Sequence, residues 1–342
     1  MADAGSDGPR RGGGAAIIGH VKSSAGSALS AIAPPLIVVA GDALVDLIVR
    51  PDGGIVPVGG GGPYNSVRAV ARLGVPTAWI GGLSADRFGH MLEEGLASDG
   101  VELDLVQRTD LPTTLALAEL GEDGSAAYRF YTERTSAPAV LPGPLASGLP
   151  SSTRAVLTGT LGLVLEPMAT TLEGLVHALP AEMLLMVDPN ARPSIIPDAD
   201  AWRARLARVF ARADIVKASS EDLAFLRPGE SAEAVVAWIG SLGPRVILVT
   251  DGGRPVTVVV DGVLHRVPTP PVRVMDTVGA GDTFGGAFLA CLVHGGVTRA
   301  TVANDDAILR AARFAVRASA IVCERAGANP PTLAELGGWP VA

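Results

Sequence analysis

Residues 276–290 read DTVGAGDTFGGAFLA, with Gly279-Ala280-Gly281 directly before an acid, Asp282. An apolar helical run, Thr283 to Leu289, follows the acid. Small residues let the backbone turn sharply and bare its N–H groups. A helix starting there aims its free N–H groups and positive dipole end at the same spot. Together these make a pocket for an anion such as a phosphate. An acid beside such a pocket is electrostatically odd unless it takes a proton from a group attacking the anion. Phosphoryl transfer to an alcohol has that need: placed donors for the phosphoryl oxygens and a base for the hydroxyl. The plainer reading is a turn closed by an Asp N-cap, and these fifteen residues alone leave both readings open.

A second carboxylate, Asp46, sits inside the apolar run Leu44 to Val49, where a charge is costly unless paired. It either accepts hydrogen bonds from substrate hydroxyls or is satisfied by nearby backbone. Gly59-Gly60-Gly61-Gly62-Pro63 then leads into a helical pattern ending at Gly74, with Asn65 in its first turn. That run suits either close backbone approach to a polar ligand or a flexible loop. Further polar signals are Thr158-Gly159, residues 188–192 (DPNAR), Lys217-Ala218-Ser219 and Thr250-Asp251-Gly252-Gly253.

The elements that must position these residues are legible as alternating runs. Residues 36–40, 44–49, 77–81, 155–158, 183–187, 214–217 and 246–250 read as strands. Residues 87–99, 168–178, 200–212, 221–226, 231–242 and 305–325 read as helices, and 113–132 as a hairpin turning at 121–124. Strand–helix alternation predicts a parallel sheet with helices on both faces. The polar signals fall at carboxyl ends of strands, where ligands of such sheets sit. Residues 1–35, rich in Gly, Ala and Ser, read as a mobile tail.

Composition narrows the function classes. The chain has 342 residues, 48% hydrophobic, with net charge −8 and a pI near 5.2. No basic patch points to nucleic acid, no Lys/Arg cluster to anionic lipid, and no apolar run approaches a membrane span. The two cysteines, Cys291 and Cys323, lie in apolar helical runs, which suits a reducing, cytoplasmic setting. Cys291 and His294 are one helical turn apart, but two ligands do not make a metal site. The two lysines, Lys22 and Lys217, do not follow a glycine, so neither a P-loop nor a protein-kinase-type Val-Ala-Ile-Lys strand is present.

GGGGPYNSVRAVARLG (59–74) and DTVGAGDTFGGAFLA resemble the two signature motifs of the ribokinase-like (PfkB-type) carbohydrate kinases, and the resemblance covers about residues 36 to 332. Pro63, the 188–192 segment and Tyr128-Arg129-Phe130-Tyr131 are similar to the fructokinase branch. The resemblance implies an α/β, ribokinase-like three-layer fold with a mostly parallel central sheet, helices on both faces and a small β-lid. The kinase domain would span 36–336, the lid about 46–60 and 112–132, and a C-terminal tail 337–342. It implies Asp282 as the base and the N–H groups of Gly279, Ala280 and Gly281 as the anion hole. Asp46, Gly60, Gly61, Asn65 and Arg192 would hold the substrate. Ser219, Asp222, Thr250 and Gly252 would lie around ATP. Asp276 with the carbonyls of Val278, Val322, Arg325 and Gly327 would form a monovalent-cation loop for potassium. Mg²⁺ would arrive with ATP, held by phosphates and water without a dedicated cluster.

Three departures stand out. Ser219-Ser220-Glu221-Asp222 replaces the family's Asn-x-x-Glu. The segment from Asp46 to Gly60 is short, so the lid is expected to be reduced and a lid-mediated dimer is in question. Pro331 stands where some members carry a serine. The implied activity is ATP-dependent phosphorylation of a primary hydroxyl of a small sugar, fructose first, by a monomer or homodimer. A 2-keto-3-deoxygluconate or other sugar-acid kinase is the alternative, with Arg129 or Arg192 pairing the carboxylate. A non-catalytic sugar sensor is the alternative of another class, and an intact Asp282 speaks against it. Aromatic content of 4% leaves few rings to stack a nucleobase.

Overall fold

The computed structural model describes residues 34, 36–50, 52–120, 126–145 and 147–341. The expected tail, Pro34 excepted, and the expected turn at 121–124 lie outside the described residues.

The first half of the chain forms β1 (Leu36–Ala40), β2 (Leu44–Val49), β3 (Ile55–Gly60), α1 (Gly62–Arg72), β4 (Thr77–Ile80) and β5 (Gly82–Ser84). It continues through α2 (Arg87–Ser98), β6 (Gln107–Thr109), β7 (Leu115–Leu120), β8 (Ala126–Tyr131) and β9 (Thr153–Gly159). The second half alternates α3 (Met168–Ala178), β10 (Leu184–Asp188), α4 (Ala199–Phe210), β11 (Ile215–Ser219), α5 (Ser220–Leu226), α6 (Ala232–Leu242) and β12 (Val246–Thr250). It ends with β13 (Val256–Val260), β14 (Val263–Val267), α7 (Ala280–His294) and α8 (Asp305–Cys323).

An eight-stranded sheet in the order β14-β13-β12-β11-β10-β9-β1-β4 forms the middle layer. It is parallel from β4 to β12 and antiparallel at β13 and β14. Side chains alternate across the strands, so each face gets its own core. Ile37, Val39, Leu184, Met186, Val246 and Leu248 pack with α1, α7 and α8. Leu36, Val38, Leu185, Val187, Ile247 and Val249 pack with α3 to α6. Continuous apolar strands are what burial on both faces demands.

The antiparallel edge is absent from the sequence reading, though its signal is present. Asp261 (φ 44°) and Gly262 (φ 84°) make the left-handed pair of a two-residue hairpin turn. A second sheet, β3-β2-β7-β8, occupies the expected lid segments. The short segment after Asp46 still yields two strands, because a tight turn reverses it: Arg50 N–H donates to Gly54 O at 2.8 Å. Two of the glycines read as a loop, Gly59 and Gly60, belong to β3. The expected tail from 337 includes Trp339, which stacks on His294 and Phe314.

Helix α7 is buried from Asp282 through Val293, which explains why its sequence is apolar all round rather than striped. Gly286 lets it approach α1: a Cβ there would lie 2.6 Å from Ser66 O. Ser66 Oγ donates to Asp282 O at 3.1 Å and Ser319 Oγ to Ala280 O at 2.9 Å. The first turn of α7 is thereby fixed from both neighbouring helices.

Candidate active site

The chain runs from β1 outward to β4, then returns to place β9 on the other side of β1. Helices on either side of such a switch diverge and leave a crevice at the carboxyl ends of the strands. A cavity of about 490 Å³ lies there, with Asp42 after β1 and Thr160 after β9 on its wall. The second sheet contributes Leu44, Asp46, Tyr128 and Phe130, and the first turn of α7 contributes Gly281 and Asp282.

Asp282 is not an N-cap. Gly279, at φ 76°, is the N-cap residue of α7 and makes no side-chain cap bond. A Cβ on Gly279 would meet Ala328 Cβ at 2.5 Å, so only glycine fits both the φ and the space. Asp282 stands in the first turn, and its Oδ2 accepts from Asn65 Nδ2 at 2.9 Å. Burial pushes its pKa up, while the Asn65 hydrogen bond, Lys217 and Arg192 pull it back. A carboxylate poised in this way suits a general base.

The N–H groups of the expected anion hole are not equally free. Ala280 N–H is engaged, donating to Thr277 O at 3.2 Å as the chain turns into α7. Among the described residues, the N–H groups of Gly279, Gly281 and Asp282 find no acceptor. The open donors are therefore Gly279, Gly281 and Asp282, at the positive end of the fifteen-residue α7.

Asp46, Gly61, Asn65 and Arg192 all line the cavity. Gly60 stands behind Asp46: a Cβ there would lie 2.2 Å from Asp46 Oδ2. Burial first, and the Asp282 charge second, raise Asp46 to about 6. Arg192 donates to Asn190 Oδ1 at 2.7 Å and to Ala191 O at 3.0 Å. Arg129, the other candidate for a carboxylate, is exposed and does not line the cavity, whereas its neighbours Tyr128 and Phe130 do.

The nucleotide candidates lie outside this cavity, at adjacent strand ends. Ser219 caps α5, accepting from Asp222 N–H at 3.0 Å. Asp222 Oδ2 accepts from Ser219 N–H and Oγ, and Oδ1 accepts from Ala191 N–H at 2.6 Å. Both Asp222 oxygens thus join the α5 start to the 188–192 loop, so the shorter acid serves as a brace. Thr250 ends β12, and Gly252 turns at φ 54° with open space around it. Asp276 ties two loops together: Oδ1 accepts from Val278 N–H at 3.0 Å and Oδ2 from Gly327 N–H at 2.8 Å. The carbonyl of Val322 accepts from Arg325 N–H at 2.9 Å.

Asp42 and Thr160 were missed by sequence reasoning, whereas Gly62, Asn190 and Lys217 stood in segments it flagged without being given a role. Gly62 is needed because a Cβ there would lie 2.6 Å from Thr160 Oγ1 and 3.2 Å from Asp282 Oδ1. Thr160 (φ 54°) and Asn190 (φ 36°) hold left-handed backbone, which costs energy in a β-branched residue and marks a constrained site. Asp42 is fully buried with both carboxylate oxygens unpartnered, and burial pushes it up to about 7. Lys217 is buried and donates to Asp188 Oδ2 at 2.8 Å. Gly62 belongs to the glycine run itself, and Asn190 and Lys217 to polar segments at strand ends. Asp42 and Thr160 carry no local pattern.

A family model described as pfkB family carbohydrate kinase matches residues 35–335. The chain belongs to this family and is a sugar kinase, a phosphotransferase. A fructokinase of Rhizobium leguminosarum bv. trifolii is 33% identical over 276 residues, 79% of this chain and 84% of the relative. Probable fructokinase-5 of Arabidopsis thaliana is 31% identical over 318 residues, 88% of this chain and 96% of the relative. The crystal structure of fructokinase with bound ATP from Xylella fastidiosa superposes with a TM-score of 0.82 at 28% identity, covering 88% of this chain and 96% of that one. The fold is the ribokinase-like one of these structures.

Proposed function

We propose that the protein transfers the terminal phosphoryl group of ATP to a primary hydroxyl of fructose. The observation that carries this reading is Asp282. One of its oxygens is held by Asn65, and its place on the cavity wall adjoins the open N–H groups of Gly279, Gly281 and Asp282 itself. In the reading, Asp46 and Asn65 orient the sugar and Asp282 takes the hydroxyl proton as the oxygen attacks phosphorus. The open N–H groups accept the charge on the transferring oxygens. Relatives named fructokinase support fructose over other sugars.

Mg²⁺ binds through phosphates, water and one or two carboxylates. Asp282 offers carboxylate oxygen on the cavity wall, so the residues fit that ion. When bound, it would neutralise phosphate charge. Ser219, Thr250 and Gly252 remain our candidates around the nucleotide. Asp276, Val278, Val322, Arg325 and Gly327 remain those for a monovalent cation. Two free cysteines fit a reducing compartment, and we place the enzyme in the cytoplasm.

A second reading, a sugar acid as substrate, is favoured by Arg192 on the cavity wall. ADP release from ATP and Mg²⁺ across fructose, ribose, tagatose, adenosine and 2-keto-3-deoxygluconate decides between them. Fructose should show the highest kcat/KM. A higher value for 2-keto-3-deoxygluconate would establish the second reading instead.

A further inference from the structure

The chain has twenty-five arginines and two lysines, and one of those lysines, Lys217, is buried. Among the described residues, Lys217 is the only Lys or Arg that is buried, at 3% exposure. It is the third residue of β11, with Ala218 and Ser219 between it and α5, and it lines the cavity wall with Gly281 and Asp282. A Cβ on Gly281 would stand 3.0 Å from Lys217 Nζ, so the ammonium touches the turn that opens α7. An ammonium has three donors. One goes to Asp188 Oδ2, and the other two find no acceptor among the described residues.

The surroundings are acidic. Asp42, Asp46 and Asp282 share the cavity wall, and Arg192, the other cation there, is exposed and engaged with Asn190. A phosphoryl group entering this space adds negative charge next to carboxylates. Backbone N–H groups carry only partial charge, so a full positive charge is needed at the same place. Burial disfavours the Lys217 ammonium, but Asp188, Asp222 and Asp282 outweigh burial and keep it charged.

We propose that Lys217 is a further catalytic residue, whose ammonium meets an equatorial oxygen of the phosphoryl group during transfer, with Asp188 holding it in place. The sugar oxygen forms its bond to the terminal phosphorus as the bridging oxygen departs with ADP. The hydroxyl proton goes to Asp282, and Lys217 keeps its three protons throughout. The proposal rests on the assignment of the α7 N-terminus as the phosphoryl site.

The competing role is a plain counter-ion for Asp188, and a neutral pair separates the two. Lys217→Met alone strands Asp188, so it should lower both melting temperature and kcat. Lys217→Met combined with Asp188→Asn removes both charges and should regain melting temperature while kcat stays about 10²–10³-fold below the parent, the usual effect of losing one stabilising donor. Calorimetry with ADP, fructose and aluminium fluoride, a mimic of the planar phosphoryl group, gives a readout independent of turnover. Fluoride should tighten ADP binding in the parent and fail to do so in the double variant, with ADP alone binding both equally. Near-parental kcat or intact fluoride tightening in the double variant would overturn the proposal. Asp282→Asn in the same assays isolates the underlying assignment: normal turnover there sinks the phosphoryl site itself, whereas an inactive Asp282→Asn beside an active double variant sinks Lys217 alone.

Discussion

Asn65 Nδ2 donates to Asp282 Oδ2 at 2.9 Å across 217 residues of sequence, and both groups are buried. The bond joins the glycine-led start of α1 to the first turn of α7. In the proposed reading it leaves the other oxygen of Asp282 to act on substrate, and it favours the ionised carboxyl against the burial that opposes it.

Asp282→Asn should therefore remove turnover while preserving the fold. The amide can still meet Asn65, and the buried charge has gone. We expect kcat to fall about 10²–10⁴-fold, the share of a general base, with fructose and ATP affinity retained by calorimetry. Substantial turnover in the folded variant would return Asp282 to a structural role.

Asn65→Ala should move the pH dependence. The hydrogen bond lowers the Asp282 pKa, so its loss raises it. A base works only when deprotonated, so the acidic limb of the kcat profile should move to higher pH. An unmoved limb with a uniformly lower kcat would show that Asn65 only orients the sugar.

Asp42 offers a stability test with a definite sign. The fold holds its proton to about pH 7, against an ordinary value of 3.8. Between those values the unfolded chain releases a proton that the fold retains, so stability falls as pH rises and levels off above about 7. Asp42→Asn lacks that loss. Its stability relative to the parent should grow from pH 4 to pH 7 and then stay constant, as read from denaturant midpoints. A gap independent of pH would mean that Asp42 is charged throughout.

Gly62→Ala should narrow the cavity without unfolding the chain. Its methyl would press on Thr160 Oγ1 and stand near Asp282 Oδ1. Overpacking of about 1–3 kcal/mol, concentrated on the sugar, should raise the fructose KM about 10- to 100-fold and change the ATP KM far less. Equal effects on both would place Gly62 outside the sugar's contact.

Arg192→Ala should weaken any carboxylate-bearing substrate more than fructose, whereas Arg129→Ala should leave both within about twofold, since surface changes away from a site have small effects. Steady-state constants for both sugars decide the point.

Much of this site is written locally. DTVGAGDTFGGAFLA specifies a turn, a helix start and an acid in its first turn, because those depend on φ preferences and spacing within a few residues. Alternating apolar runs specify the parallel sheet in the same way, and the helix at 168–178 matches to the residue. Even Arg129, read as a possible carboxylate partner, could have been placed by period-two alternation once Phe130 was set against the cavity.

Other features exist only in three dimensions. Lys217 and Asp188 form an ion pair because β10 and β11 lie side by side, and nothing in either strand's own pattern requires a charge. Asp42 is a buried, unpartnered acid because Gly61 and the 160–163 turn close around it, and in sequence it resembles any polar residue after a strand. The engagement of Ala280 N–H and the bracing role of Asp222 are likewise decided by which acceptor lies within about 3 Å after folding. The sequence by itself determined most of the elements, the small-residue turn before α7 and the acid in its first turn. The tertiary structure decided which charges face one another, because electrostatic energy depends on distance and burial, and neither is a local property of the chain.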